Sequence, residues 1–178
     1  YYTAIAPAQV HMFGRVFDRS ALASYAISFS FLLIACISPI LSSIADYKGN
    51  KKAFMQFFTY VGSAACCSMF FFTKDNISFG IIASVVASIG YCGSIVFYNA
   101  YLPEIAAEED QDRISAKGFT MGYIGSVLLM IVCLAAIMMN DKMNLGWGAY
   151  PARLSFLAVG IWWAGFAQIT FNRLPPSK

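Results

Sequence analysis

Charge is what this sequence has least of. Asp, Glu, Lys and Arg supply only 12% of its 178 residues, about half the share usual in soluble domains. Histidine is nearly absent too. The one residue of that kind, His11, lies between apolar stretches, so histidine-based metal or triad chemistry has little to work with. Cys36, Cys66, Cys67, Cys92 and Cys133 form no Cys-x-x-Cys pair and all lie in apolar runs. They suggest neither zinc nor a disulfide framework and read as small apolar filler. A phosphate-cradling Gly-x-x-x-x-Gly-Lys loop is missing, which argues against ATP hydrolysis in this chain. The net charge of +3 is too small and scattered to suggest a nucleic-acid partner. No cofactor, metal or catalytic residue is expected.

What fills the space is apolar: 59% of residues are hydrophobic and 16% aromatic, with a mean hydropathy of +0.63. The few charges are clustered, and the gaps between clusters have spanning length. Uncharged runs cover 21–45, 53–72, 77–102, 118–140 and 154–172. A span needs about 20 apolar residues, and a charge at its centre costs about 2.5–3.5 kcal/mol, so a bilayer selects this segregation. The expected fold is all-α: a multi-pass integral membrane helix bundle, one transmembrane domain over residues 1–178, in contact with membrane lipid.

Tyr1–Pro7 reads as the last turns of a preceding span, with Pro7 ending it, and Pro175–Pro176 as a helix stop before a linker. Short links force up-down neighbours: His11–Ser20, Asp46–Lys52, Thr73–Asn76, the acidic Pro103–Lys117, and Asp141–Arg153. In the acidic link, Pro103 suits a first helical position, and Glu109 stands four residues before Arg113. Lys and Arg slightly favour the side holding Asp46–Lys52, which places that link in the cytoplasm.

That link is the most informative stretch. In SSIADYKGNKKA, Ser42–Ala53, Gly49 permits a left-handed turn, Asp46 can accept from backbone N–H groups at a helix start, and Lys51 and Lys52 suit an anionic membrane surface. A tight basic turn would need no more than this. The pattern small-x-x-x-Asp-x-x-Gly-x-Lys-Lys resembles the loop between the second and third spans of the major facilitator superfamily. Two positions depart from it: Tyr47 replaces a usual basic residue, and Ser42 a usual glycine.

A second stretch narrows the resemblance. FYNAYLPEIAAEEDQDRISAKGFTMGYIGS, Phe97–Ser126, is similar to the region joining the fourth and fifth spans of the autophagy-related vacuolar amino-acid effluxers and their bacterial relatives. The resemblance implies a secondary transporter, with this chain covering spans two to six of twelve. It would then be the N-terminal half of the fold, lacking most of the first span and the second six-helix half. It also implies alternating access for a small-molecule solute, with amino-acid efflux as the finer reading. The membrane would be the plasma (inner) membrane in a bacterium and a vacuolar-type membrane in a eukaryote.

Asp46, Gly49, Lys51 and Lys52 are the expected conformational latch, and Arg113 and Lys117 are implied by the resemblance as an inner gate. Gly118, Gly122 and Gly125 form a smooth stripe for close helix packing, as do Gly90 and Gly93. Candidates for lining a solute cavity are Tyr91, Ser94, Tyr98 and Asn99, at helical spacing, with Tyr25, Ser28 and Gln168 beyond them. A neighbouring helix backbone would satisfy Asn99 as well as a solute would. Pro39 is expected to bend its helix. No span carries an ionisable Asp, Glu, Lys or Arg, where ion-coupled carriers commonly place one. The alternatives are a membrane-embedded enzyme, for which only the acidic link offers candidates, and a non-transporting membrane assembly or receptor protein.

Overall fold

Asp18 starts the first long helix. In the computed structural model of the chain, which describes residues 9–12, 15–48, 50–143, 146 and 148–175, its Oδ1 accepts the amides of Ser20 at 2.8 Å and Ala21 at 3.4 Å. This is a side-chain N-cap for helix α1, Arg19–Lys48. Two amide donors hold the Asp18 carboxyl below the ordinary carboxylate range. Within α1, Pro39 brings no N–H to the helix ladder, and Ser43 Oγ donates to the Pro39 carbonyl at 2.9 Å.

Helix α2, Lys51–Ser68, tightens into a 3-10 turn at Met69–Phe71. Thr73 and Asn76 then form a reciprocal capping box around the turn Lys74–Asn76, and α3, Ile77–Ala100, follows. The short helix α4, Leu102–Ile105, has Pro103 in its first turn. A 3-10 turn at Glu108–Asp110 leads into α5, Gln111–Met143. Helix α6, Tyr150–Arg173, closes the described chain with Pro151 near its start. Among the described residues five helices are long and apolar enough to cross a membrane, so the fold is an all-α membrane bundle. The expected stub, Tyr1–Pro7, lies outside the described residues.

Two links differ from the sequence reading. His11–Ser20 is not a plain loop: β1, Gln9–Met12, and β2, Arg15–Asp18, pair antiparallel with Val10 opposite Phe17. Val10 is buried against Leu22 of α1 and Ile81 of α3, so the hairpin closes one end of the seam between those helices. In the acidic link, helix resumes by Gln111, which puts Arg113 and Lys117 on α5. Arg113 pairs with Asp110 at 2.9 Å rather than with Glu109.

Helix α3 packs along α2 on one side and α1 on the other, α2 also packs on α6, and α5 leans lightly on α6. In lipid this packing rests on close van der Waals fit rather than on expulsion of water. At the α2–α3 crossing the two backbones nearly touch, and a Cβ on Gly90 would stand 2.5 Å from the Cα of Gly62. Near the Lys51 end, Met55, Phe58, Phe97, Tyr101 and Phe171 bury one another, with Phe54 stacked on Phe97.

Candidate functional site

The start of α2 gathers three chain segments. Lys51 Nζ donates to Glu104 Oε1 on α4 at 2.8 Å, and the two side chains are only 15% and 13% exposed. Lys52 Nζ donates to the Leu174 carbonyl at 2.8 Å. That carbonyl stands just past α6, where unpaired backbone oxygens leave a partial negative charge that favours a cation. The Tyr101 hydroxyl, on a residue 1% exposed, donates to the Pro175 carbonyl at 3.1 Å. The Glu104 amide in turn donates to the Tyr101 carbonyl at 2.9 Å. One end of the bundle is thus clasped, with α2, α4 and the exit from α6 held together by two lysines, a glutamate and a buried tyrosine.

Shielding raises the worth of the Lys51–Glu104 pair. An exposed ion pair contributes about 0–1 kcal/mol, but breaking a sheltered one strands a charge at a cost of several kcal/mol. The sequence reading chose Lys51 and Lys52 and missed Glu104, one of several acidic residues in its link. The available signal was Pro103, which builds the helical turn that aims Glu104 across. Gly49 and the side chain of Asp46 lie outside the described residues. Tyr47, where the superfamily loop is usually basic, is 91% exposed.

The other sequence-chosen residues fall into separate places. Arg113 and Lys117 are exposed on α5, and Lys117 has no ion pair among the described residues. Ser94 is buried, and its Oγ donates to the Tyr91 carbonyl at 2.8 Å. Tyr91 meets Trp163 edge-on, with centroids 6.1 Å apart. The Tyr98 hydroxyl lies against Gly118, Gly125 faces the Trp162 indole, and Gly122 faces open space. Asn99 is exposed, and its side-chain amide has no hydrogen-bond partner among the described residues. Tyr25 and Ser28 are exposed on α1, and Gln168 donates to the Tyr60 hydroxyl. A groove of about 160 Å³ runs between α1 and α3, lined by Ser30, Ser84 and Ser88 among others; Tyr91, Ser94, Tyr98 and Asn99 do not line it.

Comparison with known proteins covers almost the whole chain. Residues 5–178 match the family described as "Vacuole effluxer Atg22 like". The protein named "Uncharacterized MFS-type transporter YxiO" of Bacillus subtilis (strain 168) is 34% identical over 150 residues, which are 84% of this chain and 35% of that protein. "Autophagy-related protein 22-1" of Aspergillus terreus is 23% identical, covering 90% of this chain and 37% of that protein. "Autophagy-related protein 22" of Gibberella zeae is 23% identical, covering 88% and 33%. The chain therefore spans about a third of the length of these relatives. No solved structure matches it significantly.

Proposed function

Because this chain belongs to the vacuole effluxer Atg22-like family, we propose that the whole protein is a secondary transporter, moving a small solute across its membrane by alternating access. Amino-acid efflux is the finer form of the proposal. Efflux is supported by the family description, which speaks of an effluxer, and transport by the bacterial relative's name, an MFS-type transporter.

The observation that carries the reading is the clasp at the start of α2. Alternating access needs helices that move as a body and a fastening that breaks and reforms between states. Lys51 and Glu104 join the link after α1 to the link after α3, and Lys52 and Tyr101 tie both to the point where the chain leaves α6. A movement of one bundle against another at this face would reach the clasp through any of three segments. Asp46 and Gly49, on the same link in the sequence, complete the proposed latch. The slight excess of Lys and Arg on this side of the spans supports a cytoplasmic position for the clasp.

The test is transport by the full-length protein in proteoliposomes, with a labelled set of neutral, acidic and basic amino acids. Saturable flux of at least one of them, lost in Lys51→Met, is the expected result. Folded protein that moves none of them would sink the amino-acid reading, and no flux of any small solute would sink the carrier.

A further inference from the structure

At the opposite end of the bundle, Arg153 closes the first turn of α6, where a cation stands against the positive end of the helix dipole. Its Nε donates to the Phe70 carbonyl at 2.6 Å, and its guanidinium carbon lies 4.9 Å from the centre of the Phe70 ring. Phe70 is itself braced edge-on by Phe71 and Tyr150, with centroids 5.4 and 5.7 Å away. One edge and one face of the guanidinium are therefore fixed. Both Nη groups, with their four N–H donors, meet no acceptor among the described residues.

A guanidinium stays charged at any pH a protein survives. A cation held in place with four of its five donors unused is suited to an anion, and a planar pair of Nη groups fits two oxygens of one phosphate. The surroundings indicate what carries that phosphate. Phe71 is 63%, Tyr150 47% and Leu154 39% exposed, so the fork stands at the rim of an outward-facing apolar surface. In a chain that crosses a bilayer, this is the level where headgroups meet acyl chains.

We propose that Arg153 anchors a phospholipid in the leaflet opposite the Lys51 clasp. The Nη groups donate to the phosphate oxygens, and the acyl chains lie along Phe71 and Leu154. The site rests on the chain spanning a membrane and is independent of what the protein transports.

The experiment is native mass spectrometry of delipidated full-length protein titrated with dioctanoyl phosphatidylglycerol. Dioctanoylglycerol, which has the same chains without the phosphate, and inorganic phosphate are run beside it. Wild type should bind the phospholipid at least tenfold more tightly than either control. Arg153→Gln should lose about tenfold, the factor that 1.4 kcal/mol represents, and Arg153→Lys should fall between. Because the lipid series uses unmutated protein, it holds even if a variant folds poorly. Equal binding of dioctanoylglycerol, or binding of phosphate alone, overturns the proposal.

Discussion

Lys51 and Lys52 are adjacent in the chain yet reach different acceptors, a carboxylate on α4 and a carbonyl beyond α6. The first contact is separable by charge exchange. Lys51→Glu or Glu104→Lys alone should place two like charges together in a sheltered site and cost about 3–5 kcal/mol, read as a lowered Tm of the purified protein. The double exchange should restore most of that loss. Additive losses in the double variant would mean that the pair is incidental. At the far end of α1, Asp18 gives a pH-dependent counterpart. The amides of Ser20 and Ala21 hold its carboxyl down, so the folded chain binds that proton more weakly than the unfolded chain. Its contribution is full above the unfolded pKa and disappears as pH falls through the lowered folded value. The protection of the Ser20 and Ala21 amides from hydrogen exchange, taken relative to the intrinsic rate at each pH, should therefore fall over that acidic window, with no such step in Asp18→Asn, which caps without titrating. A flat profile in the wild type would remove the cap from the account.

Helix contacts divide the glycines into two kinds. At Gly90 any side chain meets the backbone of Gly62, whereas at Gly122 nothing lies within 4 Å. Gly90→Ala should therefore cost about 1–3 kcal/mol by forcing α2 and α3 apart. Gly122→Ala should stay within about 0.5 kcal/mol, both read from thermal unfolding in detergent. A large loss at Gly122 would mean that another part of the full protein packs on that stripe. The five long helices were legible because hydrocarbon tolerates no charge, which writes each span as an uncharged run. Their ends were not, since nothing stops a helix at the membrane boundary. Helix α5 begins at Gln111 and has 33 residues, about 50 Å at 1.5 Å per residue, well beyond the hydrocarbon. The hairpin escaped notice because strands of four residues are too short to show a period. Glu104 escaped because its partner lies 53 positions away, and only the folded links bring the two together.

Taken as a whole, the helices pack in the order α1, α3, α2, α6, α5, with only light contact between α6 and α5. None of the apolar window of α5 is buried, and α1 shows Phe29, Leu32 and Ile40 more than half exposed. Such faces suit lipid or further helices, and relatives more than twice as long have chain to supply the latter. A clasp fastened at one end of such a bundle matters to function only if the bundle moves as a body, which separates a carrier from a pore. In a carrier the binding site faces one side at a time, so solute on the far side speeds exchange. Full-length protein in proteoliposomes preloaded with unlabelled solute should therefore accumulate labelled solute transiently above equilibrium, and Glu104→Gln should alter the rate of that exchange. Flux that rises linearly with concentration, with no stimulation from the far side, would describe a pore and end the alternating-access reading.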